Sequence, residues 1–223
     1  IALPTIMAMG VPPHVALATN KLQGTFGSFT AALNFARKGM INFREVFIGI
    51  VFTFIGACVG TVLILFLSAE FLRVVIPFCL IAIFIYTLLM PKVGDEDRAA
   101  RMNARAFYMI FGLILGFYDG FFGPGTGSFW TFALVGILGL YMKKAVAHTK
   151  VLNFTSNIVS LGVFIIGGQI LWLVGAVMAV GQIAGSFAGS SLVMRCDVKF
   201  VRKMLLLVVA ATILKLLYGL IAN

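Results

Sequence analysis

A lysine lies inside an apolar helical stretch of this chain twice, and the two copies are in register. Residues 10–73 fall on residues 139–202 without a gap, which places Lys21 on Lys150. The same register pairs Gly10 with Gly139, Ala16 with Ala145, Ala18 with Ala147, Gly39 with Gly168, Gly56 with Gly185 and Gly60 with Gly189. Only thirteen of 64 positions are identical, so the argument rests on the unbroken register and on the kind of residue repeated. A lysine at the centre of a bilayer costs about 3 kcal/mol. A chain that carries this cost twice, at equivalent places, has a use for it.

The bilayer itself follows from composition, because 61% of the 223 residues are apolar and 11% are charged, a balance that suits lipid as the main solvent. Apolar runs long enough for a ~30 Å hydrocarbon layer at ~1.5 Å per residue lie near 14–36, 46–68, 71–90, 145–166, 170–194 and 200–221. Two shorter runs, 106–121 and 124–140, flank a glycine-rich break. The net charge of +10 comes from 17 basic residues gathered mainly in short loops; cytoplasmic loops of membrane proteins show this enrichment, and no nucleic-acid partner is implied. Cys58, Cys79 and Cys196 have neither the pairing nor the spacing of a disulfide framework or a metal site, and read as packing residues. No cofactor or metal is implied.

Loop charges orient the two halves. The loop after the Lys21 stretch carries Arg37, Lys38 and Arg44, whereas its counterpart, Gly167-Gly168-Gln169, carries none. At the next loop the asymmetry reverses, with Arg195, Lys199, Arg202 and Lys203 in the second half. Equivalent loops therefore face opposite sides, and residues 92–105 and Lys143-Lys144 become cytoplasmic. The stretch between them must cross an even number of times, so 106–121 and 124–140 form a hairpin, re-entrant or of two short spans. The fold class expected is an all-α polytopic membrane protein of two inverted-topology repeats, about five segments each, with glycine-rich broken or re-entrant hairpins, parallel repeats being the alternative. Its divisions are 1–91 for the first repeat, 92–105 for the cytoplasmic loop and 106–223 for the second repeat. Ile1 falls on Trp130, just past the second half's Gly123-Pro124-Gly125-Thr126-Gly127 run. The first repeat is thus expected to lack an N-terminal segment bearing its own glycine run, with residues 1–10 as the tail of the helix that followed it.

If the lysine helices start near Pro13 and Lys143, Lys21 and Lys150 lie roughly 10–12 Å in from opposite faces, less than ~10 Å apart in depth. Snorkelling to the nearer interface is the bland alternative. Polar neighbours weigh against it: Thr19, Asn20, Gln23, Thr25 and Ser28 around Lys21, and His148, Thr149, Asn153, Thr155, Ser156 and Asn157 around Lys150. Lys215, eight residues from the C-terminus and matched by Tyr86, suits snorkelling better. Asp119 is the one acid inside a span, and is read as a coupling carboxylate, a partner for a lysine, or a cap on the glycine turn. Broken backbone at 123–127 is tolerated at membrane depth only where it is buried in protein or lines a cavity. Its N–H groups and the helix start that follows can cradle an anion. His14 and His148 read as interfacial hydrogen-bonding groups. The Gly56/Gly60 and Gly185/Gly189 pairs read as small-residue packing surfaces.

Three of these segments resemble a known family. Gly10-Val11-Pro12-Pro13-His14-Val15-Ala16-Leu17-Ala18-Thr19-Asn20-Lys21, followed by Gly24-Thr25-Phe26-Gly27-Ser28, is similar to the first-half signature of the TauE/SafE sulfite exporter family. Gly116-Phe117-Tyr118-Asp119-Gly120-Phe121-Phe122-Gly123-Pro124-Gly125-Thr126-Gly127-Ser128-Phe129 is similar to its second-half signature, continued by Ala147-His148-Thr149-Lys150-Val151-Leu152-Asn153-Phe154. The resemblance implies a multi-pass transporter of the bacterial inner membrane for sulfite, organosulfonates or other sulfur oxyanions. Residues and resemblance together predict an alternating-access carrier in which Lys21 and Lys150 supply charge. Asn20, Thr149 and Asn153 would supply hydrogen bonds, and the backbone at Gly123, Gly125 and Gly127 a cradle, with Asp119 the coupling candidate. A passive anion channel is the alternative, since the same basic, glycine-lined path would serve it. An enzyme is not expected, because one intraspan acid and two separated histidines supply no catalytic constellation. The expected partners are the small anion, the bilayer and, as an open option, a second copy of the chain.

Overall fold

The computed structural model describes residues 2–72, 99–167 and 170–196, and every ordered element among them is helical. The expected spans at 71–90 (beyond residue 72) and 200–221 lie outside the described residues, as do Cys79, Lys215 and residues 92–98 of the 92–105 loop. Seven helices are described: α1 (Ala2–Ala8), α2 (Pro13–Arg37), α3 (Phe43–Leu65), α4 (Ala104–Phe121), α5 (Thr126–Gly136), α6 (Met142–Ile166) and α7 (Trp172–Arg195). Three of them, α3, α6 and α7, are long and apolar enough to cross a membrane.

Local chemistry sets the boundaries. Pro13 opens α2, where its fixed φ suits a first helical turn and its missing N–H would have had no partner. The Asn42 side chain caps α3 by accepting from the Arg44 N–H at 3.1 Å, and Asn103 caps α4 by accepting from Arg105 N–H at 2.8 Å. α5 stops at Gly136, short of the expected 140, as the chain heads into Gly139 at φ +77°. Gly10, its counterpart in the first half, has φ +80°. The lysine helices match in extent as well: α2 and α6 each hold 25 residues and begin and end at equivalent positions.

Contacts give the directions. Gly24 faces Asn157 and Phe29 packs on Phe154, so α2 and α6 run antiparallel. Leu22 meets Gly175, Gly27 meets Gln182 and the Asn34 amide donates to Ser190 at 2.7 Å, so α7 runs alongside α2. α3 and α4 run parallel and touch backbone to backbone. A methyl placed on Gly116 would lie 2.6 Å from the Thr53 carbonyl oxygen, and one on Gly112 would lie 2.7 Å from Phe52 Cβ. Gly56, Gly60 and Gly120 are equally close to the opposing backbone. This is the small-residue packing read for Gly56 and Gly60. Their counterparts Gly185 and Gly189 on α7 meet nothing within 4 Å among the described residues.

Two apolar clusters close the ends of the bundle. One gathers Phe35, Phe107, Tyr108, Trp130 and Leu152; the other gathers Leu3, Ile6, Leu17, Ile64, Phe122 and Phe164. Between them, in chain order along α2, α4 and α6, lie Lys21, Asp119 and Ser156. The outside carries exposed Phe47, Phe54, Val59, Ile114 and Leu173, an apolar surface that lipid would cover.

Candidate functional site

Lys21 does not snorkel. It is 2% exposed, and its ammonium donates to Asp119 Oδ1 at 2.8 Å and to the Asp119 carbonyl oxygen. The other carboxylate oxygen, Oδ2, accepts from the Ser156 hydroxyl. One carboxylate thus ties three helices: α2 through an ion pair, α6 through a hydroxyl, and α4 through its own backbone. Removing an ion from water is costly enough that such a pair needs close geometry and further hydrogen bonds, and both are present here. Asp119 therefore fills the role of a partner for a lysine.

The turn after α4 fits over this pair. Gly123 has φ +92°, and a methyl on it would lie 2.9 Å from Asp119 Oδ1 and 3.1 Å from Lys21 Nζ. Glycine is required there twice, once for the left-handed backbone and once for the space. The Tyr118 hydroxyl donates to the Pro124 carbonyl at 2.6 Å and Thr126 Oγ1 donates to the Gly123 carbonyl at 2.6 Å, fixing the turn. Gly125, at φ +82°, caps α5 with no side chain, and its carbonyl accepts from the Ser128 and Phe129 N–H groups. Beyond α5 the Arg101 N–H donates to the Ile137 carbonyl at 2.8 Å, so the chain has come back beside the start of α4.

A second group forms around α6. A methyl on Gly127 would lie 3.1 Å from Asn153 Nδ2 and 3.9 Å from Thr149 Cγ2, so the first turn of α5 presses on the Asn153 face. Thr149 Oγ1 lies 3.2 Å from Thr131 Oγ1, which donates to the Gly127 carbonyl at 2.7 Å. Asn153 Oδ1 is buried with no hydrogen-bond partner. Lys150, one turn away, is partly buried and has neither a hydrogen bond nor an ion pair among the described residues.

The structure thus assembles Lys21, Asp119 and Gly123 into one group and Gly127, Thr149 and Asn153 into another, with Lys150 beside the second. It adds Ser156 and Thr131, which the sequence left without roles. Asn20 turns to its own helix, where its Oδ1 accepts from Gln23 Nε2 at 2.9 Å. The two lysines sit further apart than the sequence suggested. With Gly24 facing Asn157, Lys150 falls about ten residues from Lys21 along the pair, ~15 Å of rise. The reason is length: helices of 25 residues extend ~37 Å, past the ~30 Å layer from which the depths were reckoned.

Both histidines have a hydrogen-bond partner within the protein, and His14 is half-buried where His148 is enclosed. His148 is fully enclosed, with Nδ1 2.9 Å from the Tyr108 hydroxyl and Nε2 unpartnered. His14 Nε2 lies 3.1 Å from the Ile64 carbonyl. Near the start of α6, Lys144 pairs with Glu45 at 3.0 Å.

Comparison with known proteins adds to this picture. A family model described as Sulfite exporter TauE/SafE matches residues 1–216. A probable membrane transporter protein of Haemophilus influenzae is 43% identical over 222 residues, covering 98% of this chain and 86% of the relative. The probable membrane transporter protein YfcA of Escherichia coli K12 is 44% identical over 218 residues, covering 98% and 81%. The probable membrane transporter protein ORF9 of a Sinorhizobium species is 41% identical over 217 residues, covering 97% and 83%. No solved structure matches.

Proposed function

The chain belongs to the sulfite exporter TauE/SafE family of membrane transporters, and from that premise we propose that it is a secondary carrier of a small anion. Sulfite, an organosulfonate or another sulfur oxyanion is the substrate we assign, moved across the bacterial inner membrane by alternating access. The observation that carries this reading is the unequal treatment of two equivalent lysines. Lys21 is neutralised by Asp119 at 2.8 Å, whereas Lys150, beside Asn153 and Thr149, has neither a hydrogen bond nor an ion pair among the described residues. An unpaired ammonium within a membrane-spanning helix is expensive, and a bound anion repays it.

In this reading Lys150 binds the anion. Thr149, Asn153 and the α5 start at Gly125 and Gly127 supply hydrogen bonds. Lys21, Asn20 and Gly123 form the opposing wall. Asp119 is the coupling residue: a proton taken up there would free Lys21 to face the anion, linking proton and substrate movements. The inverted repeat and its glycine hairpin are part of the proposal. In support, α2 and α6 share their length and their equivalent bounds, run antiparallel to each other, and are preceded by positive-φ glycines at Gly10 and Gly139. Repeats of this kind with a site on broken helices suit alternating access.

Counterflow tests the reading. Proteoliposomes preloaded with unlabelled sulfite should take up labelled sulfite faster than empty ones, and Lys150→Met should abolish the stimulation. Uptake that neither saturates nor responds to internal sulfite would mark an anion channel instead.

A further inference from the structure

The end of the bundle that carries Lys144 holds titratable groups from three helices that the anion site does not use. His148 of α6 is fully enclosed, its Nδ1 lies 2.9 Å from the Tyr108 hydroxyl of α4, and its Nε2 is buried without a partner. A neutral imidazole has one N–H and one lone pair. Whichever of them meets the Tyr108 hydroxyl, the other is left unmatched in an apolar cluster that includes Tyr108 and Trp130. Glu45, at the start of α3, is close enough to interact electrostatically with both His148 and Tyr108. It is held by Lys144, one turn before His148 on α6, at 3.0 Å. Among the described residues no charged group other than Glu45 and Lys144 acts on the ring.

Protonation makes both ring nitrogens donors and sets a positive charge four residues from Lys144. An enclosed charge without a counter-ion is strongly disfavoured. Glu45, with its side chain 45% exposed, is the acid in reach and free enough to move. Nε2 is sealed from solvent, so an incoming carboxylate has to part the side chains around it, Tyr108 packed on Gly49 among them. We infer that His148 is a proton-operated latch: once it is charged, Glu45 leaves Lys144 for the imidazolium and this end of the bundle loosens. In the neutral state the Glu45–Lys144 pair and the Tyr108–His148 bond tie α3 and α4 to the start of α6. In the charged state the Tyr108 hydroxyl accepts from Nδ1, and Lys144 is released to water. The latch is separate from the Lys21–Asp119 pair, because eight residues of α6, ~12 Å of rise, divide His148 from Ser156. It does not depend on which anion is carried.

Trp130, completely buried in the same cluster, reports the state of this end. In the Trp172→Phe protein it is the remaining tryptophan of this sequence. Acrylamide quenching of its emission would be followed from about pH 8 to about pH 4 in reconstituted full-length protein, with circular dichroism checking that helix content holds. Quenching should rise toward acid pH along a one-proton transition, and His148→Gln should flatten the curve. Glu45→Gln, which removes the counter-ion, should move the midpoint down by about one pH unit. A flat wild-type curve, or a transition that survives His148→Gln, would overturn the latch. A midpoint that Glu45→Gln leaves in place would overturn the exchange of partners, and that measurement decides the matter even if His148→Gln does not fold. None of these readouts involves an anion, so failure here leaves the carrier reading standing.

Discussion

Lys21 and Lys150 occupy matching places on two helices of equal length, yet one is buried in an ion pair and the other has no partner among the described residues. Sequence equivalence fixed where the charges sit along their helices, and tertiary context decided what each charge does. A charge that is paired, hydrogen-bonded and sealed by a glycine turn is a structural joint. The same charge left open is a place for something else to bind.

Substitutions should separate the joint from the open charge, starting with the pair. Asp119→Ala strands a buried ammonium and should cost about 3–5 kcal/mol, read as a shift in denaturant unfolding in detergent; Lys21→Met/Asp119→Leu should recover much of the loss. Ser156→Ala removes a hydrogen bond to a charged group and should cost about 1.5–3 kcal/mol by the same measurement. Gly123→Ala forces a left-handed backbone on a residue with a side chain and should cost about 1–2 kcal/mol, with reduced counterflow as the turn lifts from the pair. Lys150→Met removes an unpaired ammonium and should be the one substitution that costs no stability, raising it by up to about 3 kcal/mol, while removing anion binding. A Lys150→Met protein as unstable as Asp119→Ala would erase the contrast.

Much of the helical skeleton was legible beforehand. Pro13, Asn42 and the positive-φ glycines at 10, 39 and 139 mark boundaries that the chain obeys. The expected approach of Gly56 and Gly60 to a neighbour also emerged, because a glycine pair four residues apart has few other uses in an apolar helix. Side-chain pairing was less legible. Thr25 and Ser28 counted as polar neighbours of Lys21, yet each hydroxyl donates to the carbonyl four residues back on its own helix, at 2.7–2.8 Å. Such local bonds satisfy a hydroxyl anywhere along a helix, so a polar run does not by itself reveal a polar chamber. The Ser156 contact depends on the register of α4 against α6, which no local spacing encodes. The unpaired Asn153 Oδ1 is a property of packing alone.

The seam between α3 and α4 has a mechanical consequence. Carbonyls and α-carbons meet there with almost no side chain between them, and the Thr61 hydroxyl bridges to the Gly120 carbonyl at 3.0 Å. Two rods in such close mesh have no lubricating layer, so sliding or tilting either one alone would drive backbone into backbone. They form a single stiff strut. Any rocking of the bundle must carry both together, and the compliant joints are those padded by long side chains, where Leu22 meets Gly175 and Gly27 meets Gln182.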